Sequence, residues 1–359
     1  MITFDKIMEY SPENEKVFEK LSALCTSKEI VPFIGAGLSV FAGLVPILEG
    51  RNLFPTWEKL TNDLINDGRY KEYFKNKKLP ENSIDAAEEI ETIIGQEIFH
   101  EHIRVTMGGD LTKKEWSEIL KVAESQAISF VPKLFFGPIL TTNFDRIIEY
   151  IYIEKKHRKN LPVAFPYHTK ILVEAIDDKK QFLYKIHGCV FDAQNIVLTR
   201  EKYDEVYRKD GNKYIVEYLR KLYKGFHFLF LGCSLNISEG TIDESIKVWL
   251  DLQEKSLPHY AIIECKENAT KDEIKARRKE LEKEQIFPIL YKHKEYSSVK
   301  MILEKLLSKN SCQSFSVHDI DEKVKNETYR YASLKYNEKQ NDYGKNILEK
   351  LNINFKDKK

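Results

Sequence analysis

Short apolar runs bounded by Gly, Pro or charged residues recur along the chain. They fall at Ile30 to Ile34, Phe136 to Thr141, Phe182 to His187, Phe226 to Leu231, Tyr260 to Glu264 and Phe287 to Tyr291. Runs that are apolar throughout, instead of alternating with polar residues, predict strands covered on both faces. Between them apolar residues recur at helical spacing. Ile147, Ile148, Ile151 and Tyr152 do so within Arg146 to Lys155, and Ile215, Tyr218, Leu219 and Leu222 within Lys213 to Tyr223. Strands alternating with helices predict an α/β fold, a largely parallel sheet of five or six strands with helices on both faces.

The stretch 57–131 breaks this rhythm. It carries helix-like patterning at Trp57 to Ile65, Ile84 to Ile94 and Trp116 to Ala127 but no strand-like run, which predicts a helical insertion. After Leu307 the sequence turns polar and lysine-rich, with residual apolar spacing at Val324 to Leu334 and Ile347 to Ile353. The division expected is therefore a main domain over 1–308, with 57–131 as its insertion, and a helical tail over 309–359 that is either a solvated appendage or an assembly segment.

Composition narrows the class. Of 359 residues, 42% are hydrophobic and 31% charged, which fits a globular protein and neither a disordered nor a membrane chain. A formal net charge of +1 gives no basic field that would indicate nucleic acid as partner. The acidic N-terminal stretch lacks the apolar core of a signal peptide, and no run reaches the roughly 20 apolar residues needed to span a bilayer, so a cytoplasmic location is expected. Cys25, Cys189, Cys233, Cys265 and Cys312 are scattered with no CxxC pair, which argues against a zinc ribbon and a disulfide framework.

Four strand ends carry polar or glycine-rich motifs. Gly35-Ala36-Gly37-Leu38-Ser39 follows the first run, and glycines there let a backbone approach a pyrophosphate. It is neither a full GxGxxG nor a phosphate loop of the GxxxxGK[ST] type, and a bare structural turn explains it equally. Thr141-Thr142-Asn143-Phe144-Asp145 ends the second run, where Asn and Asp also suit a helix cap. His187-Gly188 and Gly232-Cys233-Ser234 end two later runs.

In this order the four motifs resemble the sirtuin superfamily, whose pattern runs GAGxS, T-[QT]-N-x-D, HG and G-[TCY]-S along a Rossmann-like domain. The resemblance covers roughly Ile30 to Tyr291. Pro55-Thr56-Trp57 and the segment Val197 to Tyr203 resemble the bacterial sirtuin-like group of anti-phage defence, whose members hydrolyse NAD. Two departures separate the chain from the protein deacylases. The four-cysteine zinc module is missing, and Gly43-Leu44-Val45-Pro46-Ile47-Leu48-Glu49-Gly50 stands where those enzymes carry an Asp and an Arg.

The resemblance implies NAD as substrate, no metal, and cleavage at the nicotinamide–ribose bond. Asn143 would orient a water or the ribose hydroxyls, and His187 would accept a proton from one of them. Asp145 would bind the nicotinamide carboxamide. Gly35, Ala36, Gly37, Ser39 and Thr142 would line the dinucleotide, and Gly232 and Ser234 would face it from the other side of the crevice. Cys233 reads as a small core residue. His100-Glu101-His102 lacks the i, i+4 spacing of a helical zinc pair, and a Ser39, His187 and Asp145 triad lacks a GxSxG elbow.

Three function classes remain at this point. One is an NAD hydrolase acting as the NAD-depleting effector of a defence system. Another is an NAD-dependent deacylase or ADP-ribosyltransferase, and the last a non-catalytic NAD or ADP-ribose-binding subunit. The partners expected are NAD, further copies of the chain, and a HerA-type ATPase or an Argonaute-like protein, with no membrane and with nucleic acid not indicated.

Overall fold

The apolar run Ile30–Ile34 forms the central strand, β1, with all five residues buried. In the computed structural model, residues 2–27, 29–48, 50–154, 161, 163–166, 181–208, 216, 219, 222–235 and 257–310 are described. On one side of β1 lie β2 (Ile139–Thr141), then β4 (Leu183–Lys185), then the two-residue β3 (Val163–Ala164); on the other lie β5 (His227–Leu231), β6 (His259–Glu264) and β7 (Ile286–Tyr291). Every pairing is parallel, giving seven strands in the order β3-β4-β2-β1-β5-β6-β7. The sequence pattern predicts five or six strands, and the six apolar runs miss β3, whose two residues are too short to show any period. The expected Phe136 start of β2 also retreats to Ile139, past Gly137 and Pro138, residues that weaken a sheet interior.

Period-two geometry sorts the strand residues between two cores. Ile34, Ile139, Leu183, Leu231 and Ile262 face one core, and Phe33, Leu140, Tyr184, Phe230 and Ile263 the other. The first core is covered by α1 (Phe4–Glu9), α2 (Asn14–Ser27), α6 (Lys113–Glu124), α8 (Ile147–Glu154) and α11 (Ser297–Asn310). The second takes residues from α9 (Arg200–Tyr203) and α10 (Lys271–Lys283). A short α7 (Val131–Leu134) leads into β2.

The region 57–131 is helical, with α3 (Trp57–Asn66), α4 (Ser83–Ile94), α5 (Gln96–Thr106) and α6. Its helices do not stay together. Leu60, Leu64, Ile90, Phe99 and Ile103 from α3 to α5 build a third core of their own, whereas Trp116, Ile119 and Leu120 of α6 join the sheet-covering layer. The third core also takes in Phe144, Cys189 and Val190 from the loops after β2 and β4. The satellite thus lies over the carboxyl edge of the sheet on the β2–β4 side.

The outermost strand, β7, is closed off by a side chain. Asn14, fully buried at the start of α2, donates through Nδ2 to Leu290 O (2.8 Å) and accepts at Oδ1 from Leu290 N (3.0 Å). A carboxamide thereby takes the place of a neighbouring strand's peptide, satisfying edge groups that would otherwise be orphaned. Arg278 of α10 donates to the same Oδ1 at 2.8 Å.

The charge-mixed run Lys271 to Gln285 forms α10 with a Thr270–Glu273 capping box, and it buries Ile274, Arg278 and Leu281 on one face. Among the described residues two ion pairs lie along it, Arg277–Glu280 at 2.7 Å and Arg278–Glu282 at 3.7 Å. Among the described residues no helix is long and apolar enough to cross a membrane. The helix expected over Lys213 to Tyr223, for most of its length, and the tail beyond Asn310 lie outside the described residues.

Candidate active site at the carboxyl edge

From β1 the chain moves first to β2 and β4, and later returns to β5 on the opposite side, so the strand order reverses at β1/β5. Loops leaving neighbouring strands in opposite directions open a crevice at such a switch point. The four sequence motifs, scattered over some two hundred residues, therefore end adjacent strands. His187 follows β4, Asn143 follows β2, Gly35 to Ser39 follow β1, and Gly232 to Ser234 follow β5.

The two glycine turns touch. Gly35 N donates to Leu231 O and Gly37 N to Gly232 O, each at 2.9 Å. A Cβ on Gly35 would stand 2.5 Å from Gly232 O, and one on Gly232 2.5 Å from Leu38 N, with Gly232 itself at φ +65°. Glycine is required there because two backbones meet, before any ligand is considered. The rim is more open. Gly37 and Ser234 are exposed, while Ala36, Thr142, Gly232 and Cys233 are half-buried.

Beneath the rim the polar groups turn inward. Asn143 is 5% exposed, and its Nδ2 donates to Gly35 O (3.2 Å) and Ser39 Oγ (3.0 Å). Because Gly35 O can only accept, the amide orientation is settled, and Oδ1 faces away with no protein partner among the described residues. Its backbone N–H donates to Thr141 Oγ1, which in turn donates to Ile34 O on β1. Ser39, expected beside the pyrophosphate, is fully buried against Asn143 instead.

Asp145 supplies the helix cap that the sequence offers, since Oδ1 accepts from Ile147 N at 2.9 Å at the start of α8. Burial pushes its carboxyl above the usual carboxylate range, with Lys185 opposing. Lys185 Nζ donates to Asp145 O and to Glu149 Oε1, the latter at 3.1 Å in a fully buried ion pair. Burial lowers the Lys185 ammonium and the Glu149 carboxylate raises it, with the net above the ordinary lysine value. Arg146, 1% exposed, lies over the rings of Tyr150 (4.4 Å) and Phe191 (4.1 Å), and burial lowers its guanidinium from the ordinary value. This network pins the Thr141–Asp145 loop to β4, the strand that ends in His187.

His187 sits at the bottom of the crevice, 1% exposed, in a box of rings from Tyr203 (5.4 Å), Trp57 and Phe144 (6.2 Å each). Its Nε2 is 2.7 Å from the Tyr203 hydroxyl. Trp57 opens α3, so the helical satellite forms one wall of the box. Lys185, Glu149 and Arg146 do not figure among the residues that the sequence motifs single out, and Tyr203 does so only as the last residue of the Val197 to Tyr203 segment, with no role at the site. Lys185 does leave a trace, as the one charged residue in the apolar run Phe182 to Ile186. Among the described residues no cluster of His, Cys, Asp or Glu is arranged to hold a metal ion.

Residues 138–289 match the SIR2-like domain family. The match spans Asn143, Asp145, His187, Gly232 and Ser234, and it supports a sirtuin-like family and an NAD-related activity for the chain. Gly35 to Ser39 fall outside the matched residues, yet hydrogen bonds from Gly37 to Gly232 and from Asn143 to Gly35 and Ser39 join them to the same site.

Proposed function

We propose that the chain cleaves NAD at the nicotinamide–ribose bond with water as acceptor, giving nicotinamide and ADP-ribose, as the NAD-depleting effector of a bacterial anti-phage defence system. The observation that carries the chemistry is the buried Asn143, whose amide nitrogen is fully engaged while its Oδ1 has no protein partner among the described residues. An unsatisfied buried acceptor costs about 1–3 kcal/mol unless water or a ligand supplies the donor; other buried atoms share that state, Tyr184 Oη and His259 Nε2 among them, and what distinguishes Asn143 is its place against the glycine turn after β1. In this reading Oδ1 orients a water or ribose hydroxyl as neutral nicotinamide departs and the ribose gains oxocarbenium character. A neutral amide does this without placing a full charge in a buried site.

The dinucleotide fits the same arrangement. The exposed rim at Gly37 and Ser234 receives the phosphates and adenosine ribose, and the nicotinamide end descends towards Asn143 and His187. Water in place of acyl-lysine is supported by the lack of paired cysteines and by the altered loop from Gly43 to Gly50, where Leu44 and Ile47 stand exposed. Further copies of the chain and a partner ATPase or Argonaute-like protein belong to this proposal as the means of restraining and triggering the activity.

The test is chromatographic. Purified chain, with and without its genomically adjacent partner, should convert NAD to nicotinamide and ADP-ribose, and His187→Ala should abolish conversion. Tight NAD binding with no product under any condition would overturn hydrolysis in favour of a binding role. Nicotinamide release only in the presence of an acyl peptide would overturn water as acceptor.

A further inference from the structure

We infer that Tyr203 is a positioning residue that fixes the ring orientation and tautomer of His187; the consequence for turnover rests on the NAD hydrolase reading, whereas the tautomer does not. The hydroxyl of Tyr203 and Nε2 of His187 are 2.7 Å apart, and both side chains are buried. Such a contact has a preferred direction. A phenol is far more acidic than the N–H of a neutral imidazole, and the imidazole lone pair is the better acceptor, so the hydroxyl donates to Nε2. Neutral His187 then keeps its proton on Nδ1, and the edge-on Tyr203 ring (62°) opposes rotation about the Cβ–Cγ bond.

The segment that carries Tyr203 is built to hold still. Thr199 Oγ1 caps α9 by accepting from Lys202 N. Tyr207, in the following turn, donates to Ile186 O at 2.7 Å, so the two tyrosines grip the chain at the His187 ring and at the carbonyl just before it. From the satellite side, Arg200 pairs with Asp85 at 2.8 Å, and Glu201 N donates to Glu88 Oε2 at 2.8 Å, both partners lying on α4. His187 thereby receives its orientation from a helix whose own position is set by the insertion. Held in this tautomer, with Nε2 engaged by Tyr203, the neutral ring meets the substrate through Nδ1–H, so the orientation that Tyr203 sets serves a hydrogen bond donated to the substrate and not direct proton uptake from it.

Two readouts separate this role from general structural support. The full chain labelled with 15N-histidine gives one ring-nitrogen signature per histidine, and that of His187 is identified by its disappearance in His187→Gln. In wild type its Nε2 should carry the shift of a hydrogen-bonded acceptor. In Tyr203→Phe, which keeps the ring and its packing, the signature should move to a mixed tautomer population while the melting temperature stays close to wild type. For NAD turnover, loss of one positioning hydrogen bond should lower kcat about tenfold with KM within about twofold. An Nε2–H signature in wild type, or an unchanged His187 signature in Tyr203→Phe, overturns the inference. A wild-type protein that releases no nicotinamide overturns the hydrolase reading alone, because the ring-nitrogen spectra are read without substrate.

Discussion

Two buried asparagines divide the molecule by purpose. At the β7 edge Asn14 uses everything its amide has. Nδ2 donates to Ile7 O (2.7 Å) and Leu290 O (2.8 Å), and Oδ1 accepts from Leu290 N (3.0 Å) and Arg278 Nη2 (2.8 Å). At the β2 terminus Asn143 is equally buried, but only its nitrogen is engaged with other side or main chains. A structural polar group is saturated by the fold. Unfilled capacity alone does not mark a site, since Tyr184 Oη, His259 Nε2 and Ser298 Oγ are also buried without partners among the described residues; in Asn143 it coincides with the glycine turns. Residue type and burial are the same in both places; the difference lies in how many of the four hydrogen-bonding positions the protein fills.

The strongest way to break that contrast is truncation of each in turn. Asn143→Ala should reduce NAD turnover by about 10³-fold, the scale of removing one preorganised group at a developing charge, while unfolding stability falls by only about 1–2 kcal/mol for the two donors lost. Asn14→Ala should do the reverse. It strands both Leu290 backbone groups, while Ile7 O keeps Tyr10 N and Arg278 Nη2 keeps Ser11 Oγ; this should cost about 2–4 kcal/mol in urea unfolding and leave kcat of the folded fraction within about twofold. Equal stability losses, or a kcat loss for Asn14→Ala matching that for Asn143→Ala, would erase the distinction.

Sequence patterning reveals the two asparagines unequally, for a physical reason. Asn143 is visible because function at the end of a parallel strand interrupts an apolar run, and four such interruptions fall in a recognisable order. Asn14 opens α2, where Asn looks like an ordinary cap, and its partner Leu290 is 276 residues away. Tyr203 is visible as the end of the family-like Val197 to Tyr203 segment, but its role is not, until the fold sets it against His187. The parallel sheet itself was legible from its apolar runs, apart from the two-residue β3. The glycine turns were legible as turns, yet their reason was not, because close approach of Gly35 to Gly232 is a tertiary fact.

The amino edge of the sheet offers a titratable buried group with one ring nitrogen paired and the other, Nε2, without a partner among the described residues. His259, fully buried at the start of β6, accepts from Phe228 N at Nδ1 (3.0 Å) and stacks on Tyr223 at 3.8 Å. Burial, with nearby His227, pushes its pKa down from 6.5 to about 3. The folded state therefore binds no proton there in the window where the unfolded chain does. The stability it contributes is present above about pH 6.5 and is lost as pH falls towards about 3. At pH 4.5 the loss should be about 2–3 kcal/mol relative to pH 7. His259→Asn keeps an acceptor for Phe228 N without titrating, so its urea midpoint should change less between the two pH values. A wild-type slope retained in that variant would place the acid sensitivity elsewhere.

The smallest effect tests whether the satellite core participates in the candidate site at all. Asp85 and Arg200 are partly exposed, so their pair contributes no more than about 1 kcal/mol to stability. Asp85→Asn should leave the melting temperature nearly unchanged. If α4 holds α9 in place, and α9 holds His187, the same substitution should lower kcat about twofold at low salt, with the difference shrinking as ionic strength rises. The decisive measurement is the pair of substitutions together. With Tyr203→Phe already present, loosening α9 has no hydroxyl left to misplace, so Asp85→Asn should then change kcat no further. Full additivity would mean that the satellite reaches the site by another route, through Trp57 or Phe144, whose rings stand on the other sides of His187.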